Sequence, residues 1–283
     1  MAKLLENSPL VDSAGNPLSS LSDINALKVE EKISIYGRML PARLLDMLGV
    51  SADKIHQAVR ERKIRFLAPA ELPLVQIEAH LHPDDTDPIF FLEMSDTPFQ
   101  QIELCFCIIR DPSAPRFDVD IDRKGRTNCF TSLVRNIPEE IRAMEAGLHP
   151  NQTSRGMNMF GELLPLVEHL TDSLGMDMIV ADLLTYCNAI RYEQLGFDYQ
   201  SGMQLMMEID REFQPGGRYL NRLDGSTPFR LPGMEKTVCG RSWAIYDGIL
   251  DEPWDNVQIY KIVGTHAGIN TFPGREQSKN TCS

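Results

Sequence analysis

Apolar residues in the first part of the chain recur every three to four positions. Over residues 29–48 this spacing is that of an amphipathic helix, with apolar positions at Ile33, Tyr36, Met39, Leu40, Leu44, Leu45 and Leu48. Pro41 divides the run into two helices, because proline has no N–H to donate inside a helix. A further helix is predicted over residues 51–63, with Ser51 as its N-cap and Ile55, Val59 and Ile64 as its buried stripe. Residues 1–73 are therefore predicted to form a helical N-terminal extension.

From residue 74 onward the period shortens to two, which is typical of strands. Four such segments, residues 74–81, 87–94, 100–110 and 116–122, are separated by clusters of Pro, Asp and Ser. They are predicted to form an antiparallel meander. Residues 130–134 are predicted to add another strand, and the alternation in residues 139–148 predicts one more.

The second half of the chain mixes both periods. A long helix is predicted from the stripe Phe160, Leu163, Leu164, Val167, Leu170 and Leu174, with Pro165 removing one of its hydrogen bonds. A strand over residues 176–184 and a short helix closed by Gly196 follow. Residues 197–210 read as a strand pair, and residues 237–249 and 256–264 as two further strands. The fold class is α/β, with a core over residues 74–213 and a C-terminal extension over residues 214–283.

Charge and composition exclude several functions. The net charge is −12, from 40 acidic and 28 basic residues, which is against a nucleic-acid-binding protein. The opening residues lack the apolar segment of a secretory signal, and no unbroken apolar run has the length of a membrane span. A cytoplasmic protein without membrane contact is expected. The 6 cysteines have no metal-binding or disulfide spacing, and we interpret the four that lie among apolar or strand-like residues as small buried hydrophobic residues.

Residue types that bind metals occupy every second position in two segments of the chain. Glu78, His80 and His82 share one face of a predicted strand, as do Asp118, Asp120 and Asp122. Neither set has a second cluster or the remaining residues of a known metal loop. Exposed strand faces explain both patterns better, and no metal site is predicted.

Two motifs carry the functional interpretation. The first is GLHPNQTSRGM, at residues 147–157, and the second is NAIRYEQLGF, at residues 188–197. One helix and one strand fit between them. In this order the segment from Pro88 to Phe213 resembles the GNAT superfamily of N-acyltransferases. The resemblance implies a GNAT-like mixed, mostly antiparallel central sheet flanked by helices.

The first motif has the features of an anion-binding turn. Backbone N–H groups at a helix start have no partner within the helix, and the helix dipole makes them attractive to a pyrophosphate. The resemblance implies that coenzyme A is held by Leu148, Arg155, Gly156, Met157, Asn158, Met159, Phe160, Gly161 and Asn188. Asn158 and Phe160 stand where the family has small residues. Asn158 tolerates a positive φ, and the Phe160 side chain must either turn into the core or obstruct the phosphates.

The second motif holds the expected acid. The resemblance implies that Tyr192 protonates the departing thiolate, and a phenol is protonated at neutral pH. The base is predicted to be Glu145, on a strand that precedes the turn, or a bound water. The protein would transfer an acyl group from acetyl-CoA, or another acyl-CoA, to a primary amine of a small molecule or protein by direct attack. The alternative is an inactive GNAT-fold protein that binds another ligand or partner, and a homodimer through the C-terminal strands is open.

Overall fold

The computed structural model describes residues 9–70, 72–122, 125–126 and 135–274. Within these residues, helices α1 to α10 have the bounds Leu21–Asn25, Val29–Tyr36, Ala42–Leu48, Ile55–Arg60, Ile137–Glu145, Phe160–Ser173, Tyr186–Gln194, Met203–Glu212, Arg218–Asn221 and Val238–Tyr246. Strands β1 to β7 have the bounds Ile64–Leu67, Leu74–Ala79, Phe90–Asp96, Ile102–Ile109, Met178–Asp182, Asp198–Ser201 and Gln258–Ile262. The chain is an α/β protein.

The strands form one open, mixed sheet in the order β1-β2-β3-β4-β5-β7-β6. Strands β1 to β4 are antiparallel to their neighbours, whereas β4 and β5 are parallel. Every second residue of β2 is buried, which is the alternation that the sequence shows. The predicted meander over residues 74–110 is confirmed, and the sheet is mostly antiparallel.

The N-terminal helices follow the sequence prediction. Helices α2 and α3 lie on either side of Pro41, so the predicted division of the run is confirmed. The Tyr36 hydroxyl donates to Asn25 Oδ1 at 2.6 Å. The amide group of Asn25 donates in turn to the carbonyl oxygens of Leu72 and Leu74, at 2.8 and 2.9 Å. These bonds tie the buried end of α1 to the start of β2.

The prediction for Ile64 was wrong in one respect. Ile64 is buried, but it begins strand β1 instead of belonging to the stripe of α4. Arg62 has a φ of 61°, a left-handed conformation that ends the helix before the strand begins. The predicted helical extension therefore contains the first strand of the sheet.

Residues 139–148 belong largely to α5 and residues 237–249 to α10, where strands were predicted. The strand pair predicted over residues 197–210 is confirmed for its first part, which is β6, whereas its second part is α8. In each segment the inward-facing apolar residues are three and four positions apart, which is a helical spacing. The residues that show it are Ile137, Ile141 and Met144 in α5, Met206, Ile209 and the following Phe213 in α8, and Cys239, Trp243 and Tyr246 in α10. The strand prediction gave too much weight to local alternation.

Residues 116–122 do not form the predicted strand. Their aspartates accept hydrogen bonds from nearby arginines, as Arg116 donates to Asp118 at 2.6 Å and to Asp120 at 2.8 Å. The segment is a loop, with the Phe117 N–H donating to Thr153 O at 2.7 Å. The predicted strand over residues 130–134 lies outside the described residues.

The chain divides into two compact units. The first comprises the described residues of Met1–Pro112, Gly156–Ala181 and Tyr260–His266. Its core lies against β2, β3, β4 and α6 and includes Val75, Ile77, Phe90, Leu92, Met94, Ile102, Leu163 and Ile179. Lys261 lies 3.5 Å from Glu168 and ties the end of β7 to α6.

The second unit comprises the described residues of Ser113–Arg155, Asp182–Ile259 and Ala267–Ser283. It contains α5 and α7 to α10, and its core includes Tyr186, Phe197, Met206, Ile209, Phe213, Tyr219, Phe229 and Trp243. Across the described ranges, no helix is long and apolar enough to cross a membrane.

Candidate functional site

Strands β4 and β5 diverge within the first unit. Their parallel pairing, among the described residues, consists of Ile102 with Ile179 and Glu103 with Val180. One residue further along β4 the register with β3 shifts, because Met94 pairs with Leu104 whereas Glu93 pairs with Phe106. The residue skipped is Cys105, which is therefore a β-bulge. Bulges bend a strand and end pairing, so the bulge accounts for the divergence of β4 from β5.

The end of β4 is joined to the turn before α6. Arg110, the residue after β4, forms an antiparallel bridge with Gly156. The Arg110 N–H donates to Ile89 O at 2.8 Å. The Ile109 carbonyl belongs to the same peptide group, so it points to the opposite side of the strand. A Cβ on Gly156 would lie 3.1 Å from the Ile109 carbonyl oxygen. Glycine is therefore favoured where the turn approaches β4.

The two unusual residues of the turn are accommodated. Asn158 has a φ of 54°, as predicted from its tolerance of the left-handed region. Phe160 is 6% exposed, so its side chain turns into the core and does not stand in front of the helix. Met157 and Met159 are buried as well. The exposed surface of the turn is left to backbone atoms and to Asn158.

Helix α6 begins at this turn. Its N-cap residue, Met159, makes no side-chain capping bond, and the Glu162 N–H donates to the Met159 carbonyl oxygen at 2.9 Å. Gly161 is exposed, and a Cβ there would meet no atom within 4 Å. The helix remains continuous through Pro165, which is exposed and close to its start.

Charges of both signs lie near this helix start. Glu162, in the first turn of α6, is 3.6 Å from Arg43 of α3. Arg110 donates to a carboxylate oxygen of Asp87 at 3.0 Å and to its carbonyl at 2.9 Å. The buried Nε of Arg110 has no hydrogen-bond partner among the described residues. A donor with unused capacity therefore lies at the end of β4.

The predicted residues of the second motif lie on α7, in the second unit. Asn188 and Tyr192 are four positions apart and so share one face of the helix. Asn188 is exposed and Tyr192 is half-buried. The Tyr192 ring packs edge-on against Phe197, with the centroids 4.8 Å apart. The helix ends as predicted, with Gly196 at a φ of 87°.

Glu145, Leu148 and Arg155 lie in the second unit, and the segment predicted as the strand before the turn is helix α5. Glu145 is exposed at the end of α5, which removes the strand on which its predicted role depended. The N–H of Leu148 donates to Ala143 O at 2.9 Å, and its carbonyl accepts from Trp243 Nε1 at 2.8 Å. The backbone groups of Leu148 are thus occupied. Arg155 is exposed at the end of the same segment.

The second unit contains a cysteine, Cys187, whose contacts the sequence analysis did not identify. Cys187 lies in the first turn of α7 and is partly exposed. Thr185 Oγ1 is 3.2 Å from its sulfur. Burial raises the pKa of the Cys187 thiol, but the charge and hydrogen bond of His149, with hydrogen bonds from Thr185 and Ser242, outweigh burial and lower the pKa below its ordinary value. Our interpretation of Cys187 as a small hydrophobic residue was incomplete.

Helix α10 positions the segment that carries His149. Trp243 is fully buried and its Nε1 donates to Leu148 O, while Cys239 Sγ lies 3.4 Å from the same oxygen. The His149 N–H donates to Gln152 Oε1 at 2.8 Å, which closes a turn around the histidine. The backbone on both sides of His149 is therefore fixed by neighbouring groups.

The signal that would have located this pair is positional. A cysteine in the first turn of a helix has a lowered pKa when a cationic group is near, and Cys187 is the second residue of α7, two positions after the N-cap Thr185. Nothing in the local sequence identifies His149 as its neighbour, because the two residues belong to different segments.

The side chains of the two alternating sets, which could in principle bind a metal, make other contacts. His80 is buried with its Nε2 3.2 Å from Glu78, whereas His82 is exposed and lies 3.5 Å from Asp85. Asp122 accepts a hydrogen bond from the side chain of Arg126 at 2.8 Å. Among the described residues, no group of three or more His, Cys, Asp or Glu side chains could hold a metal ion.

The comparisons with known proteins give no family. No protein-family model, curated protein or solved structure matches the chain significantly. Any functional assignment must therefore be argued from the two units themselves.

Proposed function

We propose that the protein transfers an acyl group, most simply acetyl, from acyl-CoA to a primary amine. The divergence of β4 from β5 carries this proposal. Beyond the bulge at Cys105, the β5-facing side of β4 has backbone donors and acceptors that are not used by β5. An extended pantetheine arm carries amide groups that can pair with such an edge in the manner of an added strand.

The turn from Gly156 to Gly161 supports a phosphate-binding role. Gly156 is bridged to Arg110 at the end of β4, and the turn leads into α6. The first amides of α6 can donate to a pyrophosphate. Gly161 leaves open space beside these amides, and Phe160 is withdrawn into the core. Asn158, Phe160 and Pro165, the departures from the family pattern that favour an inactive protein, are thus accommodated by the fold, and the transferase is the function we favour.

The reacting groups are assigned more narrowly. Tyr192 remains the acid that the resemblance implies, and Asn188 lies on the same face of α7. Glu145 and Leu148 are left out, because the first lies on a helix end and the backbone of the second is occupied. The acceptor is an amine, which must be neutral to attack a thioester.

Two substitutions of Gly161 test the phosphate cradle. Gly161→Ala adds a Cβ that meets no atom within 4 Å, so affinity for acetyl-CoA should stay within about threefold of the wild type. Gly161→Asp places a carboxylate beside the pyrophosphate. At about 4 Å this repulsion is worth about 1 kcal/mol in water and more near a protein surface. Affinity should therefore fall about tenfold or more in titration calorimetry.

The same titration decides the proposal. Binding of acetyl-CoA by the wild type and by Gly161→Ala, with weakened binding by Gly161→Asp, supports the cradle. Equal binding by all three proteins places the ligand elsewhere. If none of the three binds acetyl-CoA or a longer acyl-CoA, the transferase proposal is wrong.

A further inference from the structure

We propose that one face of the sheet in the first unit binds an extended basic segment of another protein, with lysines at alternate positions. This face, the open face, carries Gln76 and Glu78 of β2, Phe91 and Glu93 of β3, and Glu103 and Phe106 of β4. One of the bound lysines is the acyl acceptor. Only that last step rests on the proposed function, because binding of the segment needs no acyl donor.

The two faces of this part of the sheet differ in exposure. The side chains of Val75, Ile77, Phe90 and Leu92 are fully buried, with 0% exposure. The residues that alternate with them in β2 and β3 are half-exposed. Because side chains alternate along a strand, the half-exposed residues share the opposite face. The open face continues onto β4, where Ile108 is 36% exposed.

Three carboxylates cross the open face in a diagonal row. Glu103 lies opposite Ser95, Glu93 opposite Gln76, and Glu78 opposite Phe91. Each carboxylate is thus one strand further from β5 and two residues further along β3 than the one before it. Diagonal neighbours of this kind lie about 7 to 8 Å apart. Alternate side chains of an extended peptide lie about 7 Å apart on one side of its backbone, so three alternate lysines match the row.

The negative charge at the β4 end of the row is not compensated. Gln76 donates to Glu93 at 2.6 Å, and Ser95 donates to Glu103 at 3.3 Å. Both donors are neutral, and neither carboxylate is part of an ion pair within the described part of the chain. Burial raises the pKa of the Cys105 thiol, and the charges of Glu103 and Glu93 raise it further. The two carboxylates therefore present a negative field that a cationic ligand would neutralise.

The other end of the row has an unsatisfied acceptor. His80 is 1% exposed and lies two positions after Glu78, on the same side of the chain. Its Nε2 is 3.2 Å from Glu78 Oε2, and its buried Nδ1 has no hydrogen-bond partner among the described residues. When Nε2 donates to the carboxylate, Nδ1 is an acceptor. A lysine ammonium group has three donors and no acceptor, so it supplies what this end of the row lacks.

Aromatic rings flank the carboxylates. Phe106 lies opposite Glu93, and Phe91 lies opposite Glu78. The two rings pack edge to face, with their centroids 5.9 Å apart. The methylene stem of a lysine packs on apolar surface while its ammonium group reaches a carboxylate or a ring face. The open face thus suits lysine in both parts of its side chain.

The row begins where the proposed donor site begins. Glu103 pairs with Val180 in the last described pair of β4 and β5 before the bulge. The lysine at Glu103 would therefore lie closest to the diverging strands. Its neutral amine attacks the thioester carbonyl, the carbon–nitrogen bond forms as the carbon–sulfur bond breaks, and the amine proton ends on the coenzyme A thiolate.

Binding is first measured with the wild-type protein alone. Two fluorescent peptides contain the same alanines and three lysines, which alternate with alanine in one and are consecutive in the other. Consecutive lysines point to both sides of an extended peptide, so fewer of them reach the row. The alternating peptide should bind about two- to fivefold more tightly in fluorescence anisotropy at low salt, since one exposed ion pair has that effect. Equal affinities, or equally strong competition by spermidine, would overturn the proposal.

Three substitutions locate the binding surface. Glu93→Gln should weaken binding of the alternating peptide about threefold, and adding Glu103→Gln about tenfold in total. Glu61→Gln is the matched control, because Glu61 is exposed at the end of α4 and accepts from Gln57 at 2.7 Å, as Glu93 does from Gln76. It removes the same charge and should leave the affinity unchanged. Melting temperatures confirm that each variant is folded. If Glu61→Gln weakens binding as much as Glu93→Gln, the attraction is only that of the net charge and the proposal is wrong.

The peptide is titrated without acetyl-CoA, which separates this proposal from the preceding one. Peptide binding that depends on Glu93, in a protein that binds no acyl-CoA, supports the open face and removes the transferase. Calorimetric binding of acetyl-CoA without binding of the alternating peptide overturns the open face and leaves the transferase standing.

Discussion

Replacing Trp243 by phenylalanine tests how firmly α10 holds the segment before His149. The indole is fully buried, with 0% of its surface accessible to solvent, and its Nε1 donates to Leu148 O at 2.8 Å. Phenylalanine cannot donate. It can still stack on Phe229, whose ring centroid lies 5.1 Å away.

The expected loss has two parts. A buried carbonyl that loses its donor costs about 1 to 3 kcal/mol, and the Cys239 thiol that remains near it is a weak donor. The smaller ring leaves unfilled volume in a packed core, which adds about 1 kcal/mol. Trp243→Phe should therefore lower the free energy of unfolding of the second unit by about 2 to 4 kcal/mol.

The chain offers both a probe and a matched control for this measurement. It contains 2 tryptophans, and Trp254, also in the second unit, donates from Nε1 to Leu183 O at 2.8 Å. In Trp243→Phe, the fluorescence of Trp254 reports urea unfolding of this unit. Trp254→Phe removes an equivalent bond from a partly exposed site and should cost about 1 kcal/mol. The reasoning is refuted if the two variants lose the same free energy.

Two further predictions concern charges in the two units. Arg135 donates to Glu140, which is 2% exposed, and to Asp247 at 3.0 Å. Arg135→Met should cost about 3 to 5 kcal/mol by leaving the buried Glu140 without its ion pair, whereas Asp247 keeps its bond from Arg230 at 2.9 Å. Adding Glu140→Gln should recover part of the loss of melting temperature, and no recovery would contradict the pairing. Burial raises the pKa of Asp96, outweighing its hydrogen bonds from Leu21 and Ser22. The protonated form is thus favoured by folding, and the wild type should lose stability as the pH rises through the folded-state pKa. Asp96→Asn should remove this dependence, and an unchanged pH profile of melting temperature would count against it.

The meander and the helices near Pro41 were predictable because their signals are local. Alternation in residues 74–110 and the three-and-four spacing in residues 29–48 each describe one buried face. Asn158 could be predicted for a similar reason, since its tolerance of a positive φ is intrinsic to asparagine.

The second unit was harder to predict because its helices carry short, ambiguous apolar runs. The segment of α10 is apolar on several sides, and Trp243 can be read as part of a strand or of a helix until its partner Leu148 is known. The capping bond from the Gly240 N–H to Thr237 Oγ1, at 2.9 Å, is the local signal that favours the helix.

The candidate site was predictable in part. The turn from Gly156 to Gly161 could be located from its glycines and its position before a helix. Its connection to β4 could not, because residues 111–155 separate the two in sequence and the bridge between Arg110 and Gly156 depends on the fold.

Amide hydrogen exchange with and without acetyl-CoA tests the proposed donor site most directly. The account predicts slower exchange on binding in two segments of the first unit, the end of β4 from Leu104 to Ile109 and the turn from Met157 to Glu162. Acetyl-CoA should slow the exchange of these amides more in the wild type than in Gly161→Asp. Unchanged exchange in both segments at saturating acetyl-CoA, or protection confined to other parts of the chain, would contradict it.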